Sequence, residues 1–393
     1  MADKRNLLGK LIGRPFTASV DRSGARIDRA NSVLIVKEFL VPSGYLAYIF
    51  DKSFPEEYII NFARQSNGAS IVCDVEDVSG LVDYDVITVS SNGLIQRIYR
   101  DDSGDNVLFI TNCCNSNCIM CPDSMASRTR ELGITKESLL NLLGLIPDDT
   151  HHLTITGGEP TLLKWDLLAV LKACKERFEN TLFLMLTNGR SLCVEEYRKA
   201  FLESLPNHFR VGIPLYGTDA KSHDAITQAP GSFEQTTAAL KAIQFQTEVE
   251  IRIVVMSFNF KQLPLIAQYI ASNLPGIHIV NFMGMELLGS AAINRDKLWV
   301  DYSDTVPYLE KAILILLKAG IDSRIYNYPL CSLPEKLWSL SEKSISDYKV
   351  LFRPECDACT VKQYCGGFFF STIQYEKVKI NPIKEERSHA AIQ

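Results

Sequence analysis

The sequence predicts an α/β protein: a partial (β/α)6 TIM-like barrel, preceded by a β-rich domain and followed by a cysteine-rich extension. Three observations predict it. Six short apolar runs alternate with helix-period segments across the middle of the chain. The first hundred residues are dense in short strand signals and nearly free of helix. Eight of the eleven cysteines fall into two groups, one directly after the first of the six central runs and one near the C-terminus. A chain of 393 residues exceeds the size at which a single hydrophobic core stops growing. The expected division is therefore a β-rich domain over 1–105, the barrel over 106–300 and the extension over 301–393.

Taken in order, 34–39, 46–50, 70–75, 85–89 and 94–99 read as strands. The last two are joined through Ser91-Asn92-Gly93, a hairpin signal because Asn-Gly tolerates positive φ. Within this part only 55–64 reads as a helix, and Asp101-Asp102-Ser103-Gly104-Asp105 reads as a linker. The barrel strands are expected at 106–111, 153–156, 181–187, 209–215, 250–256 and 277–283. Thr135 is placed to cap a helix running to 145, and 163–178, 194–205, 232–245 and 263–274 carry apolar residues at helical spacing. Such alternation implies right-handed βαβ units and a parallel sheet. In these sheets ligands sit where the connecting loops converge, at the carboxyl ends of the strands. After a helix expected at 307–319 the chain reads as irregular, and 384–393 is a polar tail.

Composition narrows the function. With 46% hydrophobic and 22% charged residues the chain is an ordinary globular one, and a net charge of −5 supplies no basic face for nucleic acid. The N-terminus lacks the apolar core of a secretion signal. The longest apolar run, 312–317, ends at Lys318 and is far shorter than a membrane span of roughly 20 residues. The expectation is a cytoplasmic protein with no membrane or nucleic-acid partner. In a reducing compartment an odd number of cysteines points to metal binding or catalysis in preference to disulfides. Cys73, Cys174 and Cys193 lie scattered in apolar contexts and read as small buried hydrophobes.

The first group reads TNCCNSNCIMCP, from Thr111 to Pro122. Cys114, Cys118 and Cys121 are separated by three and then two residues, in a loop at the end of the first barrel strand. Three thiolates so placed can each hold one iron of a cubic [4Fe-4S] cluster, leaving the fourth iron open. A zinc knuckle is the alternative, although it usually wants two paired-cysteine motifs farther apart. Cys113 lies outside the register. At the end of the second strand stand Thr156-Gly157-Gly158-Glu159-Pro160, whose glycines remove side chains where a ligand could approach the backbone.

Together, CNSNCIMC, the following GGEP and six βα units resemble the radical S-adenosylmethionine (radical SAM) superfamily. The resemblance implies that the open iron is chelated by the amine and carboxylate of SAM. Cys114, Cys118 and Cys121 would hold the cluster, and Gly157, Gly158, Glu159 and Pro160 would receive the SAM amino group. Met120 stands where an aromatic residue is common, and would pack on the adenine. Thr187-Asn188-Gly189 after the third strand resembles a TNG segment of peptide-modifying members, so Thr187 and Asn188 would face SAM. Arg252 on the fifth strand is placed to pair with the SAM carboxylate, to form a structural ion pair, or to face solvent on an alternating strand.

The second group, Cys331, Cys356, Cys359 and Cys365, supplies four thiolates, enough for one fully ligated cluster. It resembles a shortened SPASM or Twitch extension, which implies one auxiliary [4Fe-4S] cluster; a structural zinc is the alternative. The strings NCCNSNCIMCPD, ITGGEPTL, SISDYK (344–349) and CGGFFFSTI (365–373) are similar to His-Xaa-Ser system radical SAM maturases of the C subclass. That resemblance implies a ribosomally made precursor peptide as substrate and a partner maturase. It also implies an electron donor such as flavodoxin or ferredoxin, and hydrogen abstraction from a peptide side chain leading to a cross-link. Two alternatives stand beside it: a radical SAM enzyme acting on a folded protein or small molecule, and a noncatalytic scaffold carrying zinc.

Overall fold

The structure is a computed structural model that describes residues 6–26, 28–39, 41–130, 132–343, 350–375 and 377–384. The SISDYK string and nearly all of the polar tail lie outside the described residues. The chain divides into two compact units. One comprises Met1–Leu108, Thr135–Thr154 and Val170–Leu182; the other comprises Phe109–Ile134, Ile155–Ala169 and Phe183–Gln393.

In the first unit, β1 (Asn6–Leu8), β2 (Lys10–Ile12), β3 (Phe16–Asp21), β4 (Ser32–Ile35), β5 (Ala47–Asp51), β6 (Ser70–Val75), β7 (Val86–Val89) and β8 (Leu94–Tyr99) form one sheet in the order β1-β8-β7-β3-β4-β5-β6-β2. Its two end strands are consecutive in the chain: β1 pairs with β8 and β2 with β6, with Gly9 at the bend between them. The sheet thus closes on itself. Gly9 is required there, since an added Cβ would lie 2.6 Å from Cγ1 of Val72. One face carries Ala18, Val20, Val33, Ile35, Ala47, Ile49, Val72, Ile87 and Ile95 as a core. The other buries Tyr48, Phe50 and Ile71 with Ile59 of α1 (Glu56–Gln65). The sequence predicts β4 to β8 and α1 within a few residues. It does not predict β1 to β3, where small and polar residues such as those of FTASVD give no apolar run.

The second sheet runs in the order β16-β15-β14-β13-β12-β11-β10-β9. Its strands are β9 (Asn106–Thr111), β10 (His152–Gly157), β11 (Leu182–Leu186), β12 (His208–Pro214), β13 (Glu248–Val254), β14 (Ile279–Met283), β15 (Asp322–Tyr326) and β16 (Ser341–Glu342). Each pair from β12 to β16 is parallel. The six expected barrel strands are present, and β15 and β16 extend the sheet. The helices are α2 (Met125–Thr129), α3 (Lys136–Leu145), α4 (Trp165–Arg177), α5 (Glu195–Ser204), α6 (Ala220–Thr227), α7 (Ser232–Ile243), α8 (Leu263–Asn273), α9 (Gly289–Ile293), α10 (Arg295–Leu298), α11 (Tyr302–Lys318) and α12 (Phe370–Ile373). Thr135 caps α3 as expected, in a reciprocal pair with Ser138. Helix α11 begins five residues before Pro307, because the Asp301 carboxylate caps it by accepting from the Ser303 N–H. The sheet is apolar on one face, where Val211, Ile213, Val249, Ile251, Ile253, Val280 and Phe282 are nearly fully buried. Residues of the opposite alternation, Gly212, Glu250, Arg252, Asn281 and Arg324, share the other face by register.

Candidate functional site

The chain leaves β9 into the cysteine loop and is fastened at every turn. Gly158 N–H donates to the Thr111 carbonyl at 2.6 Å, and Glu159 N–H to the Cys113 carbonyl at 2.8 Å. A Cβ on Gly157 would collide with the Thr111 carbonyl oxygen, and one on Gly158 would lie 2.5 Å from the Asn112 carbonyl oxygen. The space left by the two missing side chains is therefore taken by the Thr111–Cys113 backbone. This close approach of two loops is a structural demand for glycine beyond the ligand access read from the sequence. Farther along the loop, Asn117 N–H and Ile119 N–H donate to the Thr227 and Ile226 carbonyls at the end of α6, and Ala291 N–H donates to the Cys121 carbonyl.

Cys114, Cys118 and Cys121 are free thiols. Burial pushes Cys114 up to about 11 and Cys118 up to about 12, and raises Cys121 as well. Neighbouring sulfur charge adds to the rise at Cys118, where both other thiols contribute, so the three sit close enough to feel one another. Met120 between them is buried at 6% exposure. Cys113 sits outside the trio, with its N–H on the Thr111 hydroxyl at 3.1 Å.

Glu159 is the hub of the neighbouring turn. Its side chain is fully buried. Oε1 accepts from Thr161 N–H (3.0 Å), the Thr161 hydroxyl (2.7 Å) and the Thr187 hydroxyl (2.6 Å), and Oε2 accepts from Asn188 N–H (2.6 Å). The carboxylate thus binds the GGEP turn to the end of β11, and Pro160 begins the short turn that follows. Asn188 reaches on to the cysteine loop, donating to the Asn115 side chain at 2.7 Å. Arg190, which the sequence did not single out, donates to the Asn115 carbonyl at 2.6 Å and to Gln235 on α7 at 2.7 Å. Thr187 and Asn188 are accordingly brought together with the cysteine loop and GGEP.

Arg252 is held differently. Its Nη1 lies 2.6 Å from Oε1 of Glu250, a carboxylate almost fully buried two residues earlier on β13, so the structure forms the ion pair among its sequence readings. Beside it in register stands Asn281, 3% exposed, whose Oδ1 has no partner. Tyr216, after β12, is raised well above the usual tyrosine range, by burial first and then by Cys118 and Cys121.

The second cysteine group converges as well. Cys331, Cys356, Cys359 and Cys365 line one apolar cavity with Leu330, Phe352, Val361 and Phe368. Burial raises Cys331, Cys356 and Cys365, the last to about 11, and sulfur neighbours contribute in each case. Two backbone N–H groups, of Leu330 and Gly367, point at Cys365 Sγ at 3.3 and 3.4 Å. N–H donors aimed at sulfur suit a thiolate. Among the described residues, no three or more His, Cys, Asp or Glu side chains are gathered as for one metal ion. A cubic cluster takes one iron per thiolate, so its ligands surround a cube and need no common point. Both thiol-only donor sets fit soft iron–sulfur ligation. Sequence spacing singled out all seven of these cysteines, but neither Arg190 nor the buried Arg128 carried a motif.

Residues 108–270 match the family model described as the radical SAM superfamily. No curated protein matches the chain. Similar solved structures include Streptococcus suis SuiB bound to the precursor peptide SuiA, at 16% identity and a TM-score of 0.45, over 57% of this chain and 48% of that one. Another is anSMEcpe with bound AdoMet, at 17% identity and a TM-score of 0.41, over 56% of this chain and 63% of that one. A third is a radical SAM methyltransferase from Sphaerobacter thermophilus, at 12% identity and a TM-score of 0.40, over 75% of this chain and 84% of that one. The chain thus spans about half the length of SuiB. The cysteine loop and the GGEP turn both lie inside the segment that matches the radical SAM superfamily model.

Proposed function

We propose that this chain is a radical SAM peptide maturase. Cys114, Cys118 and Cys121 hold a [4Fe-4S] cluster, and Cys331, Cys356, Cys359 and Cys365 hold an auxiliary one. The observation that carries the reading is the half-buried trio Cys114, Cys118 and Cys121 on a loop whose Thr111 and Cys113 carbonyls take the GGEP turn and whose Asn115 takes Asn188 from the end of β11. The family's cluster, when SAM is bound to it and one electron is supplied, provides a 5′-deoxyadenosyl radical that abstracts hydrogen from an unactivated carbon.

The chain's own residues bind and orient. Glu159, with its carboxylate fully engaged, fixes the turn whose backbone receives the SAM amine, and Thr187 and Asn188 extend that surface. Arg252, whose Nη1 is taken by Glu250, pairs with a SAM carboxylate through its other guanidinium N–H groups. The four auxiliary thiols, which leave no iron of a [4Fe-4S] cluster open, suit electron transfer rather than substrate binding. The precursor peptide, partner maturase, flavodoxin-type donor and cross-linked product rest on the local strings quoted above, and the division at 105 and 300 rests on the pattern of strand and helix signals.

The test is anaerobic reconstitution, with iron counted per chain, followed by SAM and reductant. The proposal expects about eight irons, 5′-deoxyadenosine, and deuterium transfer into it from a labelled side chain of a peptide encoded beside the gene. Zinc in place of iron would favour the scaffold reading. Product formed with a folded protein or small molecule but no peptide would reassign the substrate.

A further inference from the structure

Arg128 is a cation buried beside the cysteine loop. It lies on α2 and is 5% exposed. Its guanidinium donates to the Ser116 carbonyl at 3.1 Å, Asn117 Oδ1 at 2.8 Å, Ser290 Oγ at 3.0 Å and the Ser124 carbonyl at 3.4 Å. All four acceptors are neutral. Among the described residues no carboxylate pairs with Arg128.

Burying a guanidinium with no countercharge is costly even when its N–H groups are satisfied. A negative charge is therefore expected nearby, and the guanidinium is bonded to the stretch of loop between Cys114 and Cys118. Its hydrogen bonds also bracket the loop. Ser116 and Asn117 lie between the first two of these cysteines, and Ser290 lies on the segment whose Ala291 N–H holds the Cys121 carbonyl. One side chain thus carries both a fixed charge and the bonds that hold the loop's course.

We propose that Arg128 is a positioning residue and the built-in countercharge of the first cysteine site, raising the reduction potential of the [4Fe-4S] cluster that Cys114, Cys118 and Cys121 hold. The inference rests on the proposed ligand set. An electron added from an external one-electron donor makes the cluster more negative. A fixed positive charge in a poorly screened interior stabilises that reduced form more than the oxidised one.

The experiment compares the wild-type chain, R128K and R128M, each reconstituted anaerobically. The midpoint potential is read by dye-mediated titration on the EPR signal that added SAM perturbs. The expected result is a midpoint shifted to more negative potential in R128M and close to wild type in R128K, which keeps the charge but loses the planar fork. Equal midpoints in R128M and wild type would overturn the proposal. So would R128K displaced as far as R128M, which marks a purely structural role. If R128M takes up no iron, R128K decides: a retained cluster at the wild-type midpoint supports the countercharge, and failure to load overturns it. A wild-type chain that binds no iron would overturn the ligand assignment itself, a different failure recognised before any variant is titrated.

Discussion

Replacing Glu159 by Gln keeps its size and removes its charge. Three donors meet Oε1 and one, Asn188 N–H, meets Oε2 at 2.6 Å. A glutamine oriented to keep the three on its oxygen turns its NH2 toward the Asn188 N–H, donor against donor. A buried unsatisfied N–H costs about 1–3 kcal/mol, and weakening charge-assisted bonds to neutral ones adds a comparable amount. Relief from desolvating a carboxylate offsets part of this. The net expectation is a loss on the order of 3 kcal/mol, with the end of β11 freed from GGEP. All three tryptophans, Trp165, Trp299 and Trp338, lie in the second unit, so urea unfolding followed by tryptophan fluorescence reports the unit that holds Glu159. E159Q is expected to unfold at clearly lower urea and to bind SAM more weakly. E195Q is the control, because Glu195 pairs with Lys199 at an exposed site on α5 and such pairs contribute little. An E159Q midpoint within the equivalent of about 0.5 kcal/mol of wild type, the range of ordinary surface changes, would refute the hub.

Three further outcomes are expected. Gly157→Ala places a methyl against the Thr111 carbonyl oxygen, so the chain is expected to reconstitute with less iron at the first site while keeping the auxiliary complement, read as iron per chain. Cys365→Ser removes the sulfur on which the Leu330 and Gly367 N–H groups converge; iron is expected to fall from about eight to about four per chain, with 5′-deoxyadenosine formation from SAM persisting. His223 is 1% exposed, and burial depresses its pKa from 6.5 to about 4. Between those values the unfolded chain binds a proton that the folded one does not, so stability contributed here is intact above pH 6.5 and falls as the pH drops toward 4. The whole loss is roughly 3 kcal/mol. Urea midpoints at pH 7.5 and 5 are expected to converge in H223N relative to wild type, and an unchanged difference would exclude His223 as its source.

How much of this was legible in the sequence depended on the physical signal each part carries. The six barrel strands follow from β-rich apolar runs whose one face is buried under helices. The spacing of Cys114, Cys118 and Cys121 is local and survives any fold around it. Strand β15, DSRIY, escapes a sequence reading because its charged residues face the polar side of the sheet with Glu250 and Arg252, so it shows no apolar run. Helix α6 escapes it because the helix is short and is set by its ends, where the Asp219 carboxylate accepts from Ser222 N–H and Gln228 takes positive φ. Closure of the first sheet was not legible either, since it depends on one glycine bend letting β1 and β2 pair with strands far apart in the chain. Arg252 shows a different limit. Its strand position was readable, but its partner Glu250 sits at i−2 on the same face, and nothing local distinguishes that bond from a ligand contact.

The two cysteine sites use the same donor atom in opposite surroundings, and under the proposed reading that difference assigns their roles. Around the auxiliary four, the lining is mostly apolar, with Leu330, Val361, Phe352 and Phe368 beside Lys362, and backbone N–H groups reach the Cys365 sulfur. Four thiolates satisfy four irons and leave none open to a further ligand. Around the first three, the loop is threaded by side chains that carry direction and charge: Asn188 on Asn115, Arg190 on the Asn115 carbonyl, Arg128 on Ser116 and Asn117. Three thiolates leave one iron unclaimed, and a loop fixed by a polar network keeps its course when a charged ligand arrives. Exchanging the surroundings while keeping every cysteine would, by this logic, abolish SAM cleavage without emptying either site of iron. Cysteine spacing alone cannot carry the distinction, because it is written in the residues that hold the loops.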